Sequence, residues 1–332
     1  MMEDEEYGEV WEACRVIEQK MTQRTSERTM ITPKSCVHPR WHGDDLDARS
    51  GSVGCRVAGI NAAKKIFSDR ENVNELVSLM NKERIDIQVI TEPGKADGMA
   101  MAALKNQMTR MDMAAEIRTR SQDTAAGGQV ILIGRQWAKL QRKIHEFKPS
   151  LADRDRVLAI EFDNKRQGHH NKLLLIGYYG YNDAPSHRAE IKEMHLFMWC
   201  TIKKFRKQNP FGSVVILGDT NAAEWSDLDT DSQYISGEGV TMEDRDEKWE
   251  LEKDSFVIEH LLKMKMCDAI RERYPSNNFV TRRATHHTNR FLDRVFVSKE
   301  LSTDAMRAAV FQPGTWGCGM RKDSNGRPRE RS

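Results

Sequence analysis

The residues best suited to chemistry form the motif Gly218-Asp219-Thr220-Asn221, which directly follows an apolar run. Gly218 lets the backbone turn, and Asp219 and Asn221, two positions apart, can point to the same side. A carboxylate can accept a proton from an attacking water while an amide holds a phosphate oxygen without adding negative charge. The motif therefore predicts phosphodiester hydrolysis. The alternative interpretation is an Asx turn that closes a strand, because Asp and Asn are common turn formers.

Other polar side chains follow or interrupt apolar runs along the chain, namely Asn61, Glu92, Tyr179 and Asp293. Glu92 is a lone acid at a predicted strand end, where it could bind a hard divalent cation. Asp293 lies within an apolar strand, and a carboxylate buried there needs a partner because burying an unpaired charge is costly. The alternative for Asp293 is a surface charge on an edge strand. Together these residues predict a polar site at the ends of several strands.

Short apolar runs separated by amphipathic segments predict the elements that carry these residues. The predicted strands are 56–60, 85–90, 130–133, 157–162, 173–179, 214–217 and 291–297, and the predicted helices lie around 73–80, 99–113 and 191–205. Several strands are almost continuous in Val, Ile and Leu, as expected when both faces are covered. The polar link 163–172 is too short for a crossover helix, so the strands beside it form a hairpin. Mixed strand directions with helices between them predict a layered α/β sandwich.

In this order, the motifs resemble those of the endonuclease/exonuclease/phosphatase superfamily. That superfamily includes apurinic/apyrimidinic endonucleases, endonucleases of non-LTR retrotransposons, DNase I and inositol-polyphosphate phosphatases. The resemblance covers about residues 53–297, and the segment 179–190 followed by a helix is most similar to the retrotransposon endonucleases. It implies an α/β fold of the DNase I-like kind, a four-layered sandwich of two mixed β-sheets flanked by helices.

The resemblance implies a metal site and a phosphate contact. Asn61 and Glu92 match the residues that hold Mg²⁺ in the family, with Mn²⁺ as a substitute. Tyr179 matches the tyrosine that contacts the phosphate, although Tyr181 replaces the proline of the family's Y-x-P-N stretch. An aromatic residue usually precedes the first Asn in the repair endonucleases, and this chain has Ile60 there.

The resemblance also implies the catalytic residues. Asp219 would activate the attacking water or contact the phosphate, and Asn221 would bind the phosphate. Asp293 would orient a histidine, with Arg294 at a position where an aromatic residue is common.

The final Ser-Asp-His signature of the family has no counterpart in this chain. The last histidine is His287, and Asp323-Ser324-Asn325 has the wrong order. Three explanations compete. Either the domain's last strand is missing, or the chain is a decayed copy of a retroelement, or His286 or His287 occupies the position of the missing histidine. Truncation or decay is favoured, because a histidine that precedes Asp293 in the chain would have to approach the metal from a different loop. Loss of a positioned acid or base typically lowers the rate about 10²–10⁴-fold, so reduced activity is expected.

These observations predict a Mg²⁺-dependent endonuclease that hydrolyses DNA phosphodiester bonds with reduced activity. The alternatives are an inactive, truncated or decayed relative that only binds nucleic acid, and an enzyme like the inositol-phosphate phosphatases. We expect a poorly structured N-terminal extension at 1–50, the endonuclease/exonuclease/phosphatase domain at 51–312, and a disordered basic tail at 313–332.

Composition and charge limit the class of protein. With 332 residues and a hydrophobic fraction of 39%, the chain can fill a sizeable core. No apolar run approaches the roughly 20 residues of a membrane span, so we expect no membrane association and an intracellular location, in the nucleus or cytoplasm. The net charge of +2 does not by itself favour nucleic acid. A basic cluster at 282–294 does favour a DNA partner, against the alternative of a solvated loop. No stable protein partner is implied.

The six cysteines are predicted to be reduced thiols, because they lie far apart and form no C-x-x-C pair. One group, Cys36, His38, His42 and Cys55, contains the atoms of a zinc site. Its spacing matches no familiar zinc motif, which favours the alternative of a polar loop.

Overall fold

The computed structural model describes residues 41–43, 55–62, 66–67, 70–119, 128–164, 171–182, 184–222, 255–274, 293–301 and 308–311. These stretches form twelve β-strands and six α-helices, numbered in chain order. The strands are β1 (Trp41–Gly43), β2 (Val57–Asn61), β3 (Ile87–Thr91), β4 (Ala114–Arg118), β5 (Gln129–Ile133), β6 (Gln141–His145), β7 (Val157–Asn164), β8 (Asn171–Tyr179), β9 (Ser213–Asp219), β10 (Met266–Asp268), β11 (Asp293–Ser298) and β12 (Ala309–Phe311). The helices are α1 (Arg70–Lys82), α2 (Gly98–Arg110), α3 (Arg135–Ala138), α4 (Arg188–Gln208), α5 (Ser255–Lys263) and α6 (Ala269–Arg273).

Two mixed sheets carry the site residues. One has four strands in the order β2-β3-β5-β4, and the other has six in the order β10-β11-β9-β8-β7-β6. The pairs β2/β3 and β8/β9 are parallel, whereas the other pairs within these two sheets are antiparallel. The predicted hairpin is confirmed by the antiparallel pairing of β7 with β8.

Three apolar clusters separate four layers. Between the sheets lies a cluster that includes Ile87, Val89, Ile131, Leu158, Ile160, Leu175 and Val215. Outside the four-stranded sheet, α1 and α2 pack through Val73, Leu76, Leu104 and Met108 onto Ile90, Val130 and Leu132. Outside the six-stranded sheet, α4 and α5 pack through Ile191, Met194, Met198, Val257 and Leu261 onto Val157, Leu174 and Ile176. The predicted four-layered α/β sandwich is therefore confirmed.

The alternation of side chains along β3 explains how one strand serves two layers. Ile87 and Val89 face the other sheet, and Ile90 faces the helices, as the two-residue period of a strand requires. The predicted strands and helices all appear in the described residues with boundaries shifted by a few positions. Five of the described strands, β1, β4, β6, β10 and β12, were not predicted. Each lies at an edge of its sheet, and the sequence of β6 alternates between exposed and half-exposed residues without an apolar face.

One short strand pair joins the two ends of the chain within the described residues. From the expected N-terminal extension, only β1 is described, and it pairs antiparallel with β12. The expected tail at 313–332 lies outside the described residues. None of the helices that the structure describes has the length and apolar character that a membrane crossing requires.

Candidate active site

Strand direction brings the predicted site residues to one edge of the sandwich. Asn61 ends β2 in register with Thr91 of the parallel β3, so Glu92 follows at the same edge. In the other sheet, Tyr179 is in register with Asp219 on the parallel β9. The antiparallel β11 begins at this same place, because Asp293 lies directly opposite Asp219.

Two hydrogen bonds connect these residues across the gap between the sheets. Nδ2 of Asn61 donates to Oδ2 of Asp219 at 2.7 Å. The phenol of Tyr179 donates to Oε1 of Glu92 at 2.5 Å. Asn61 ends a strand of the four-stranded sheet and Glu92 directly follows one, whereas Asp219 and Tyr179 end strands of the six-stranded sheet. The site therefore forms only where the two sheets meet.

Asp219 and Asn221 form the Asx turn that was the alternative interpretation of their motif. The amide of Asn221 donates to Oδ1 of Asp219 at 2.9 Å, and Asn221 has a left-handed backbone with φ of 50°. The side chain of Asn221 then donates through Nδ2 to the carbonyl of Gly180 at 3.0 Å. Both oxygens of Asp219 thus accept hydrogen bonds, and the turn holds its carboxylate in place within the site.

Glycine is required at two positions beside this turn. Gly218 has φ of +146°, and a Cβ there would lie 2.0 Å from the carbonyl oxygen of Tyr178. A Cβ at Gly180 would lie 2.0 Å from the carbonyl oxygen of Thr220. A side chain at either position would push β8 and β9 apart. Because Asp219 lies between Gly218 and Thr220, either change would also displace Asp219.

Tyr179 is 1% exposed and remains a neutral hydrogen-bond donor. Burial raises the pKa of its phenol above the usual range, and the hydrogen bond to Glu92 and the negative charges of Glu92 and Asp219 raise it further. Glu92 itself has a left-handed backbone, with φ of 49°, which a non-glycine residue adopts at some cost. The phenol of Tyr179 therefore fixes the orientation of an acid on a strained backbone.

Asp293 and Asp219 lie side by side on neighbouring antiparallel strands. Directly opposed residues point to the same face, with Cβ atoms about 5 Å apart. Two carboxylates at that separation repel each other, and a cation or a proton reduces the repulsion.

Arg294 does not belong to a DNA-facing basic cluster, which corrects the interpretation of 282–294. It is 1% exposed, and its Nη1 donates to Oδ2 of Asp268 at 2.7 Å. Asp268 also caps α6 by accepting from the amides of Ile270 and Arg271 at 3.0 and 3.1 Å. Arg294 therefore stabilises the packing of β11 against α6. The other arginines of the cluster, and the two histidines within it, lie outside the described residues.

Arg156 is a residue of the site edge that the motifs did not reveal. It directly precedes β7, and its Nη1 donates to the carbonyl of Gly180 at 2.7 Å. The only sequence signal is an arginine immediately before a long apolar strand, which is common in proteins and carries no specific prediction.

The donors at this edge fit a hard cation better than a transition metal. Asn61 and Glu92 supply amide and carboxylate oxygens, which suit Mg²⁺ and leave positions for water. In the described stretches, no group of three or more His, Cys, Asp or Glu residues is arranged to hold a metal ion. Of the suggested zinc ligands, Cys36 and His38 lie outside those stretches.

No protein-family model matches the chain, and no curated protein sequence matches it significantly. Solved structures do match. A 3′ phosphatase, NExo from Neisseria bound to product DNA hairpin, has a TM-score of 0.54 and 16% identity, over 75% of this chain and 88% of that chain. An AP endonuclease from Archaeoglobus fulgidus has a TM-score of 0.53 and 13% identity, over 75% of this chain and 88% of that one. The AP endonuclease LMAP from Leishmania major has a TM-score of 0.55 and 17% identity, over 74% and 79%. These likenesses establish the DNase I-like fold that the motifs implied.

Proposed function

We propose that this protein is a divalent-metal-dependent phosphodiesterase that hydrolyses DNA, acting as an endonuclease. The observation that carries the proposal is the pair of cross-sheet hydrogen bonds, Asn61 to Asp219 and Tyr179 to Glu92. They bring four polar side chains from separate strands to one edge. The shared fold with a 3′ phosphatase solved with a DNA hairpin, and with AP endonucleases, supports DNA as the substrate class.

Asp219 is the residue proposed to accept the proton of the attacking water. Its carboxylate is held by Asn61 on one oxygen and by the amide of Asn221 on the other, so its orientation is set before substrate binds. A positioned general base of this kind contributes about 10²–10⁴-fold to the rate. Asn221 donates one amide hydrogen to Gly180, and a second amide hydrogen is the group proposed to contact a phosphate oxygen.

Asn61 and Glu92 are the residues proposed to hold Mg²⁺. The nitrogen of Asn61 is used by Asp219, so its amide oxygen is the atom that would bind the cation. A bound Mg²⁺ would offset the negative charge that develops on the attacked phosphate. Because Asp219 and Asp293 are adjacent, a cation at this edge would also reduce their mutual repulsion.

Tyr179 has a more specific role in this arrangement than the family motif implies. Its single hydroxyl hydrogen is donated to Glu92, and it cannot be donated to a phosphate oxygen at the same time. We therefore propose that Tyr179 orients the carboxylate of Glu92 toward the cation. A direct phosphate contact would require the phenol to leave Glu92 when substrate binds.

Nicking of supercoiled plasmid in the presence of Mg²⁺ tests the proposal. We expect nicking that EDTA abolishes and that Asp219→Ala lowers about 10²-fold or more. Glu272→Ala, which removes an exposed acid on α6, is the matched control and should nick like the parent. Equal nicking by the parent and Asp219→Ala would overturn the assignment.

A second candidate function is DNA binding without catalysis. The observation that favours it is the fold shared with a 3′ phosphatase solved with a DNA hairpin, because a shared fold supports a DNA-binding surface without establishing catalysis. This function predicts binding that persists in EDTA, weakens steeply with salt, and is accompanied by no nicking. EDTA-sensitive cleavage would reject it.

A further inference from the structure

Arg156 holds the backbone turn that follows β8. It is 9% exposed, and its Nη1 donates to the carbonyls of Gly180 at 2.7 Å and Tyr179 at 3.3 Å. In return, the amide of Tyr179 donates to the carbonyl of Arg156 at 2.9 Å. The arginine and the turn are therefore joined by hydrogen bonds in both directions.

The guanidinium group of Arg156 also packs against the aromatic rings of the turn. Its carbon lies 3.7 Å from the ring centroid of Tyr181 and 4.7 Å from that of Tyr179. The ring of His187 stacks on Tyr181 with centroids 4.3 Å apart and planes inclined by 14°. Two groups at these distances cannot share one face, so Tyr181 lies between Arg156 and His187. A planar guanidinium can stack and donate hydrogen bonds at once, which a lysine ammonium cannot.

Asp153 fixes the orientation of this guanidinium. Its Oδ2 accepts from Nε of Arg156 at 3.2 Å, and its amide donates to the hydroxyl of Tyr181 at 3.2 Å. Glu193 on α4 holds the preceding segment by accepting from the amides of Ser150, Leu151 and Ala152. The segment that carries Asp153 and Arg156 is thus attached to the helix layer on one side and to the turn on the other.

The turn in its own right connects Arg156 to the rest of the site. The carbonyl of Gly180 accepts from both Arg156 and Asn221, and the amide of Gly180 donates to the carbonyl of Asp219 at 2.8 Å. The phenol of Tyr179, the residue before Gly180, reaches Glu92 in the other sheet. A shift of this turn would therefore move Tyr179 away from Glu92.

We propose that Arg156 is a positioning residue of the candidate site. By holding the turn at Gly180, it directs the phenol of Tyr179 to Glu92 and so orients the Glu92 carboxylate for the divalent cation. The inference rests on the proposed function, because the cation belongs to that proposal. Arg156 itself is assigned no contact with substrate or cation.

Three variants test this role at different degrees of disturbance. Arg156→Met removes every polar contact of the guanidinium group and leaves the backbone bond to Tyr179. Arg156→Lys keeps the charge without the planar group, and Asp153→Asn keeps the arginine but weakens its partner. The matched control is Arg142→Lys on β6, because Nη1 of Arg142 also donates to a backbone carbonyl, that of Ala138, at 2.7 Å. Arg142 also lies near an acid, with Nε 3.9 Å from Glu116.

The first measurement is a crystal structure of each variant that folds. In Arg156→Lys or Arg156→Met, we expect the distance from the Tyr179 hydroxyl to Glu92 to exceed hydrogen-bond range, and in Arg142→Lys to stay unchanged. If Arg156 variants keep that bond at its original length, the proposal is overturned. This result does not depend on whether the protein cleaves DNA.

The second measurement is the affinity for Mn²⁺, followed by its electron paramagnetic resonance signal, beside the thermal unfolding temperature. Loss of an outer residue that orients a metal ligand typically costs about 10- to 100-fold in affinity, and we expect a loss of this order for Arg156→Lys. In a Tyr179→Phe background, the same substitution should cause no further loss of affinity. A lowered unfolding temperature with unchanged Mn²⁺ affinity would mean a merely structural arginine and would overturn the proposal.

The two proposals fail in different ways. A parent protein that binds Mn²⁺ and loses affinity through Arg156→Lys, yet never nicks DNA, would overturn the proposed function and support the positioning role. A parent protein that nicks DNA in the presence of Mg²⁺ would support the proposed function. If Arg156→Lys then leaves the Mg²⁺ requirement unchanged, the positioning role is overturned.

Discussion

The side-chain nitrogen Nδ2 of Asn61 lies 2.7 Å from Oδ2 of Asp219, although 158 positions separate the two residues in the chain. Asn61 ends a strand of the four-stranded sheet, and Asp219 ends a strand of the six-stranded sheet. Their hydrogen bond therefore reports the packing of the two sheets against each other. The inter-sheet core and the candidate site depend on the same contact surface, so a change that shifts the sheets should disturb the site before it unfolds the protein.

Asn61→Asp tests this contact directly. The substitution replaces an amide donor with a second carboxylate beside Asp219, so a hydrogen bond becomes a repulsion. We expect Mg²⁺-dependent nicking to fall about 10- to 100-fold and the thermal unfolding temperature to drop. Asn74→Asp, on the exposed side of α1, is the matched control and should change neither. Unaltered nicking by Asn61→Asp would contradict the role given to this hydrogen bond.

Tyr179→Phe separates two roles for the phenol. If Tyr179 orients Glu92, its loss should raise the Mg²⁺ concentration for half-maximal nicking about tenfold and leave the KM for DNA nearly unchanged. If Tyr179 instead contacts the phosphate, the KM should rise and the Mg²⁺ requirement should not. Steady-state nicking at varied Mg²⁺ and varied DNA distinguishes these outcomes.

The control for Tyr179→Phe is the neighbouring Tyr178→Phe. The hydroxyl of Tyr178 is also buried, but it bonds Nε2 of His195 at 3.2 Å on the helix side of the sheet. Losing that hydrogen bond should lower the free energy of unfolding by about 1 kcal/mol and leave the metal requirement alone.

Much of the fold and part of the site follow from sequence patterns. Strands such as Ile87–Thr91 and Gln129–Ile133 are buried on every residue, so their continuous apolar character reveals them. The edge strand Gln141–His145 has no such pattern because its side chains are largely exposed. The strand ends also marked Asn61 and Asp219 as candidate site residues, and the structure joins their side chains by a hydrogen bond.

What the sequence did not reveal depends on contacts between distant segments. The pairing of Asn61 with Asp219 requires two sheets to be docked in one register, and no local pattern encodes that. Arg294 looked like a member of a basic surface cluster because its sequence neighbours are basic. Its burial against Asp268 is set by the position of α6, which lies about 20 residues upstream of β11.

Arg294→Leu should destabilise the protein strongly. The ion pair between Arg294 and Asp268 is buried, with side chains 0% and 4% exposed. Removing one partner of a buried pair leaves an uncompensated charge, which typically costs about 3–5 kcal/mol. Adding Asp268→Ser should recover part of that loss, because serine still caps α6 without a charge. Urea denaturation measures both variants.

The exposed pair of Arg135 and Asp112 provides the control for Arg294→Leu. Its atoms are 3.5 Å apart, and its side chains are 66% and 65% exposed. Arg135→Leu should therefore change the free energy of unfolding by less than about 1 kcal/mol. Similar losses in Arg135→Leu and Arg294→Leu would contradict the structural role given to the buried pair.

Glu193→Gln should lower stability at neutral pH and lose its effect in acid. Hydrogen bonds from the amides of Ala152, Ser150 and Leu151 and from the Ser150 hydroxyl lower the pKa of Glu193 from 4.5 to about 2. A carboxyl whose pKa is lowered by folding stabilises the folded state above the unfolded value of about 4.5, and this contribution disappears as the pH falls toward 2. The difference in unfolding temperature between parent and variant should be constant above about pH 5 and shrink below it.

Glu190→Gln, on the same helix, is the control for Glu193→Gln. The hydrogen bonds to residues 150–152 belong to Glu193, so Glu190→Gln should change the unfolding temperature at pH 7 less than Glu193→Gln does. A difference for Glu193→Gln that stays constant down to pH 3 would show that its charge is not the source of the stability.

His195 is a second group whose protonation makes the protein less stable in acid. It gains a positive charge, whereas Glu193 loses a negative one. Its Nδ1 lies 2.9 Å from Nδ1 of His260, a contact that accommodates a single hydrogen. Burial, with a smaller contribution from the charge of His260, lowers the pKa of His195 from 6.5 to about 3. Between pH 6.5 and about 3, the imidazole of His195 is therefore protonated in the unfolded protein and neutral in the folded one. The free energy of unfolding falls as the pH falls through this range.

His195→Gln should flatten the pH dependence of unfolding, because glutamine can accept and donate hydrogen bonds but does not titrate. One buried histidine can contribute at most about 1.4 kcal/mol per pH unit, so urea midpoints at pH 7 and pH 5 suffice to detect it. Lys263, Glu259 and Lys192 act on His260 from α5 and α4, and they stay in place in the variant. Equal slopes for the parent and His195→Gln would exclude the histidine pair as the acid-sensitive contact between α4 and α5.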